Sequence, residues 1–254
     1  MHNIFMKSMT IVAFAYAAIC MALFVFQDTL IYYPQPREIN APQSTMIFPV
    51  DSAELLVTVR PHAGAKAIIY FGGNAEDVSL NLPLFEKAFP DHALYLLHYR
   101  GYGGSSGTPS EAAIQQDALR LFDKVRAEHP EIAVIGRSLG TGVAVRLCSL
   151  RPASRLVLIT PYDSLQEIAA GQFPYVPVRL LLRDKYDSGK YASGITMPTT
   201  IVTAENDEVI PRASTEKLFA RFSKGVATMK VIPATGHNTI SDSNDYLALI
   251  QAAL

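Results

Sequence analysis

From Ala67 onward, short and mainly apolar runs alternate with segments of helical periodicity, and few folds satisfy that pattern. The runs are Ala67-Ile-Ile-Tyr-Phe71, Ala93-Leu-Tyr-Leu-Leu97, Ile132-Ala-Val-Ile135, Leu156-Val-Leu-Ile159, Thr199-Thr-Ile-Val-Thr203 and Thr228-Met-Lys-Val-Ile232. A strand with one wet face alternates polar and apolar side chains. The first four are apolar throughout, as parallel strands covered on both faces must be, while the last two mix in threonine and Lys230. Between them, Ile114, Ala118, Leu121, Phe122 and Val125 share one helical face with Ser110 as N-cap, Leu218 and Phe222 repeat at one turn after Pro211, and Tyr246, Leu247 and Ile250 form the inner stripe of a helix begun near Ser241. Strand and helix in alternation give an α/β fold with a mostly parallel sheet and helices on both faces. Thr45-Met-Ile-Phe48 and Leu55-Leu-Val-Thr-Val-Arg60 precede this series as an antiparallel pair. A chain of 254 residues suits one such domain, expected over residues 45–254.

One stretch breaks the rhythm. Residues 163–196 separate two strands and contain Phe173-Pro-Tyr-Val-Pro-Val-Arg-Leu-Leu-Leu182. An insertion of this length in a compact domain is usually functional or mobile.

The N-terminus has a different composition. Met9 to Phe26 carries no charged residue, between Lys7 and Asp28. Its length is near the lower limit of about 17–25 residues for a membrane-spanning helix. A cleaved signal peptide is the rival reading, with Ala15-Tyr16-Ala17 as a small-x-small site. Cleavage there would leave too short an apolar core and would strand Met21 to Phe26 on the mature protein. An uncleaved signal anchor over residues 1–27 is therefore expected, with Lys7 favouring a domain on the non-cytoplasmic side. Residues 28–44 read as a linker, in which Tyr32-Tyr33 suit a membrane interface and Pro34 and Pro36 limit flexibility.

Gly136-Arg-Ser-Leu-Gly140 fits G-x-S-x-G. The pattern places a serine on a sharp strand-to-helix turn whose glycines avoid collision with the flanking elements. The setting agrees, with a strand over 132–135 before it and a helix over 141–150 after it; the bland alternative is a tight turn with an inert serine. Ser138 needs a base to take its proton. Among six histidines, His237 in Ala234-Thr-Gly-His-Asn238 lies between the last strand and the last helix, which singles it out. The base needs a carboxylate to hold its tautomer, and Asp207, after the strand 199–203, completes the order Ser, Asp, His. Glu205 and Glu208 are the neighbouring competitors. An oxyanion intermediate needs N–H donors. Leu139, after the serine, supplies one backbone amide, and Asn74 in Phe71-Gly-Gly-Asn-Ala75 the other, unless that segment is only a Gly-Gly turn.

These residues resemble the small, N-terminally membrane-anchored serine hydrolases of the α/β-hydrolase superfamily, in the abhydrolase-domain, bud-emergence-type branch. The resemblance also rests on Phe26-Gln-Asp-Thr-Leu-Ile-Tyr-Tyr-Pro34, on Tyr99-Arg-Gly-Tyr-Gly-Gly-Ser-Ser-Gly-Thr-Pro-Ser-Glu111, on Thr160-Pro-Tyr-Asp-Ser164 and on Asn206-Asp-Glu-Val-Ile-Pro211. It implies an α/β-hydrolase fold, a triad of Ser138, Asp207 and His237, and a lid over about 163–196. It further implies cleavage of carboxylic esters or thioesters through an acyl-enzyme, with lipid-derived acyl esters as plausible substrates and no metal or organic cofactor. His98 departs from the aspartate that the resemblance places before Tyr-Arg-Gly. A peptidase or amidase would use the same triad, and a non-catalytic membrane-tethered scaffold could keep the same fold.

The remaining composition mainly excludes. A net charge of −1, with 18% charged residues, offers no basic surface for nucleic acid. Cys20 and Cys148 are too few for a metal cluster and sit in the apolar run and in a core helix, so no disulfide is expected.

Overall fold

A computed structural model of the chain describes residues 2–254. It opens with one long helix, α1 (His2–Ile31), followed by an antiparallel pair, β1 (Thr45–Val50) and β2 (Ala53–Arg60). The α/β series then runs β3 (Lys66–Phe71), α2 (Leu82–Ala88), β4 (Ala93–Leu97), α3 (Glu111–Glu128), β5 (Glu131–Arg137), α4 (Leu139–Cys148) and β6 (Arg155–Ile159). Three short helices follow, α5 (Leu165–Gln172), α6 (Val178–Leu181) and α7 (Ser188–Ala192). The chain closes with β7 (Thr199–Ala204), α8 (Arg212–Phe219), β8 (Ala227–Ile232) and α9 (Asn244–Ala253).

The eight strands form one sheet in the order β1-β2-β4-β3-β5-β6-β7-β8, parallel from β4 to β8. β2 meets β4 antiparallel. The continuous apolar runs are explained by two core layers, one on each side of the sheet. Ile69, Phe71 and Val134 face the layer that packs on α3 and α4. Ile68, Tyr70 and Ile135 face the layer that packs on α2 and α9. Ser110 caps α3 by accepting the Ala113 N–H at 3.3 Å, and Ile114, Ala118, Leu121, Phe122 and Val125 are all buried. Cys148 is buried, with its thiol pushed up by desolvation, and neither cysteine is bonded to another.

Local expectations shift in three places. The helix expected over 141–150 starts at Leu139, because the chain turns straight from strand to helix through Ser138. The expected anchor–linker boundary at 27/28 falls inside α1, which continues to Ile31, with Gln27 and Asp28 bonded to Leu181 and Arg183 of the domain; Met1, the first residue of the expected anchor, lies outside the described residues. Tyr32 is not a membrane-interface residue. It is buried, and its hydroxyl donates to Asp184 at 2.6 Å and meets Tyr186 at 2.9 Å.

Within α1, Phe5–Ile31 is long and apolar enough to cross a membrane, and only 6% of its most apolar window is buried in the protein. A core helix of a soluble domain would be mostly covered, so α1 is a candidate membrane anchor.

Candidate active site

The sheet presents its site at the C-terminal ends of β5, β7 and β8. At β5, the backbone of Ser138 adopts φ 47° and ψ −115°, a conformation that L-residues avoid. Strain of this kind persists only when the surroundings impose it. Here a Cβ on Gly136 would lie 2.6 Å from the Gly140 carbonyl oxygen, and one on Gly140 would lie 2.1 Å from that of Phe71. Strand, turn and helix therefore pack backbone against backbone, and the turn lifts the Ser138 hydroxyl above the sheet edge.

His237 follows β8 and is buried, and its Nε2 lies 2.9 Å from Ser138 Oγ. Its Nδ1 lies 3.0 Å from both carboxylate oxygens of Asp207, which follows β7. Asp207 Oδ1 also accepts the N–H groups of Val209 at 3.0 Å and Ile210 at 2.7 Å. Burial raises the Asp207 pKa, but the hydrogen bonds from His237 and from the Ile210 and Val209 amides outweigh it and hold the carboxyl below its ordinary range. The two competing carboxylates have other work. Glu208 Oε2 accepts the backbone N–H of His237 at 2.9 Å, and Glu205 Oε2 accepts that of Ala234 at 2.8 Å. Both fix the histidine loop rather than its ring.

The loop after β3 lies against the serine, since a Cβ on Gly73 would come within 3.5 Å of Ser138 Cβ. The Gly73 N–H is taken by Glu76 Oε2. Among the described residues, the Asn74 and Leu139 N–H groups have no protein acceptor, and both residues line the cavity beside Ser138. The Asn74 side chain holds the loop in place. Its Oδ1 accepts Tyr33 N–H at 3.0 Å and the Tyr102 hydroxyl at 2.8 Å, while its amide donates to Ile31 O.

Glu76 was not singled out in the sequence. It accepts from the Tyr70 hydroxyl and the Asn81 amide, each at 2.7 Å, and lies 3.7 Å from Arg137. A carboxylate three residues beyond a Gly-Gly pair is the signal that could have found it, since it closes that turn. His98 stands where the resemblance calls for aspartate. Its Nε2 meets Thr58 Oγ1 at 2.8 Å, and its ring lies over Gly103, where a Cβ would fall 2.0 Å from Nδ1. Burial keeps it neutral, with a pKa pushed down to about 4.

Above Ser138 is a cavity of about 290 Å³, lined mainly by apolar side chains from α1, from α5, α6 and the turns around them, and from Val209 and Ile210 after β7. Among the described residues, no group of three His, Cys, Asp or Glu side chains is placed to hold a metal ion.

No family model matches the chain. An uncharacterized protein of Mycobacterium tuberculosis is 32% identical over 248 residues, covering 90% of this chain and 86% of the relative. Protein bem46 of Schizosaccharomyces pombe is 24% identical, covering 90% and 85%. The lysophosphatidylserine lipase ABHD12 of Mus musculus is 33% identical over 171 residues, covering 59% of this chain and 43% of the lipase. Among solved structures, an esterase of Pyrococcus furiosus superposes with a TM-score of 0.65 at 18% identity, covering 88% of this chain and 96% of the esterase. That likeness confirms the expected fold.

Proposed function

The chain belongs to the α/β-hydrolase superfamily and is a hydrolase, and on that premise we propose that it is a serine esterase or thioesterase working through an acyl-enzyme. The observation that carries this reading is the unbroken contact from Ser138 Oγ through the His237 ring to Asp207, beneath an apolar cavity. In the first step Ser138 Oγ attacks the substrate carbonyl and its proton passes to His237 Nε2, leaving the carbonyl oxygen negative. The free Leu139 and Asn74 amides are the donors for that charge, each worth on the order of a hundredfold or more in rate. Collapse expels the alcohol or thiol, which takes the proton from His237, and Ser138 keeps the acyl group. Water attacks the acyl-enzyme with His237 again as base, releasing the acid and restoring the serine. Asp207 holds Nδ1–H toward itself throughout, so that Nε2 stays free to accept.

The apolar lining favours acyl chains over peptides, whose buried amides would find few partners there. The named activity of the mouse relative, a lysophosphatidylserine lipase, supports lipid-derived acyl esters as substrates. The segment 163–196 acts as the lid, and α1 places the domain on the non-cytoplasmic side of a membrane, with Lys7 retained behind it.

The test is labelling of the full chain with a fluorophosphonate, compared with Ser138→Ala, followed by hydrolysis of esters and thioesters of graded length. Labelling of the native chain alone is expected. A folded native chain that does not label sinks the reading and leaves the scaffold alternative.

A further inference from the structure

The helix α1 does more than its length requires. Phe5–Ile31 contains 27 residues, which at about 1.5 Å per residue reach about 40 Å, whereas a bilayer's hydrocarbon core takes about 30 Å. The surplus lies at the C-terminal end, where Leu23, Gln27, Leu30 and Ile31, on one helical face, line the cavity above Ser138. Their opposite wall is the segment between β6 and β7, through Ile168, Phe173, Val176 and Leu182.

Polar contacts bind the two walls. Gln27 Nε2 donates to Leu181 O at 3.2 Å, and Gln27 Oε1 accepts Arg183 N–H at 2.8 Å. Arg183 also pairs with Asp28 at 2.8 Å. Farther along the helix the Tyr16 hydroxyl donates to Tyr175 O at 2.8 Å. Tyr16 stands roughly 16 Å from Gln27 along the axis, so the turn around Tyr175 climbs beside the middle of the apolar run. The side chain of Tyr175 there is bare, 88% exposed, and Leu180 on the following helix α6 is 84% exposed. Once α1 crosses a bilayer, this turn lies at hydrocarbon depth, where bare aromatic and aliphatic side chains cost nothing.

We infer that the anchor helix is one wall of the acyl-binding cavity, and that the substrate is an acyl ester resident in the bilayer which enters sideways between α1 and the Tyr175 turn. The inference rests on the hydrolase reading of Ser138 given above and adds the substrate's route and a specificity-determining face. The physical reason is the solvent on each side of the entrance. Gln27, the polar group on that wall, is occupied in holding the opposite wall, so the entrance offers no spare partner to a polar, hydrated group crossing it. An acyl chain already among lipid tails passes from one apolar medium to another.

Two measurements on the full chain in phosphatidylcholine nanodiscs test this. The first is the ratio of kcat/KM for hexadecanoyl over butanoyl 4-nitrophenyl esters. Leu30→Trp is expected to lower that ratio by about tenfold or more, the size of effect that reshaping an acyl pocket has. Val25→Trp, on the same helix and similarly exposed but outside the cavity lining, is expected to leave it as in the native chain. Equal ratios in both variants overturn the wall. If Leu30→Trp does not fold, Leu30→Ala takes its place and is expected to move the optimum toward longer chains; an unmoved optimum likewise overturns it.

The second measurement needs no turnover. The chain contains no Trp, so Tyr175→Trp supplies a single reporter. Quenching by lipids brominated on their acyl chains, with protection from aqueous iodide, is expected. Iodide access without bromolipid quenching overturns the bilayer route, whether or not Ser138 labels. Failure of the native chain to label with fluorophosphonate strikes only the catalytic reading.

Discussion

The floor and the roof of the cavity are held by different physics. The floor is the edge of the sheet, where Ser138, Asp207 and His237 emerge from β5, β7 and β8, the Ser138 turn fixed by main-chain packing and the other two by carboxylates that accept backbone N–H groups. A Cβ on Gly140 would lie 2.1 Å from one main-chain oxygen and 2.6 Å from another. The roof is the segment between β6 and β7 together with α1. Helix α5 has no buried residue, and a Cβ on Gly171 within it would meet nothing inside 4 Å. The floor tolerates one backbone path, and the roof rests on a few side-chain contacts and a surface suited to lipid. Reactive geometry that must hold to fractions of an ångström belongs to the first kind of construction, and a chain-length filter to the second.

The largest effect expected from breaking the floor is chemical. In Asp207→Asn the side-chain oxygen can still accept the Val209 and Ile210 amides, so the turn survives. The new amide then donates to His237 Nδ1, the proton moves to Nε2, and Nε2 no longer accepts from Ser138. A fall in kcat on the order of ten-thousandfold is expected, with an unchanged melting temperature, measured by ester hydrolysis and thermal denaturation. A variant that keeps native activity would show that Asp207 serves the fold alone.

Gly140→Ala tests the same floor through stability. The added carbon has no route away from Phe71 O except movement of α4 or β3. A loss of about 4 kcal/mol or more is expected, which places it among the most damaging single substitutions, read as a collapse in yield or in the denaturation midpoint. Ordinary stability in this variant would remove the main-chain packing on which the floor's side of the comparison rests.

A pH effect comes next. His98 lies under the loop that brings Tyr102 to Asn74. Burial is the main cause of its low pKa; Asp77 raises it and Arg37 lowers it, and the folded value is about 4 against 6.5 for the free side chain. Between these values the unfolded chain binds more protons than the folded one, so stability rises with pH across that window. The contribution, about 3 kcal/mol, is complete above pH 6.5 and lost as the pH falls through 4. The difference in melting temperature between the native chain and His98→Asn is expected to shrink on acidification through that interval. A constant difference would mean that His98 titrates alike in the folded and the unfolded chain.

The same division explains what could be read in the sequence. The sheet was legible because strands covered on both faces must be apolar throughout, as in Ala67–Phe71 and Ile132–Ile135. The elbow was legible because backbone crowding demands Gly136 and Gly140 at fixed offsets from Ser138. Asp207 and His237 followed from chain order in a fold of this kind. The roof was not legible. Gln27 meets Leu181 and Arg183, and Tyr32 meets Asp184 and Tyr186, across more than 150 residues. Such single polar contacts leave no period and no spacing. Tyr32 beside Tyr33 therefore read as a membrane-interface pair, although one ring is buried and the other exposed.

The smallest expected effect lies in the roof, and its sign carries the information. Gly171 is the penultimate residue of α5, with open space where a Cβ would go. Glycine in a helix interior costs roughly 0.5–1 kcal/mol relative to alanine, because the unfolded chain loses more freedom on ordering. Gly171→Ala, in the last turn, should therefore stabilise the chain by up to about that amount, seen as a small rise in melting temperature, while Gly140→Ala, the same chemical change in the floor, is ruinous. If the roof must flex to admit an acyl chain, turnover of hexadecanoyl esters falls in Gly171→Ala as stability rises, while fluorophosphonate labelling of Ser138 continues. Unchanged turnover would mean that α5 is a fixed wall and that the entrance works by the spacing of α1 from the Tyr175 turn alone.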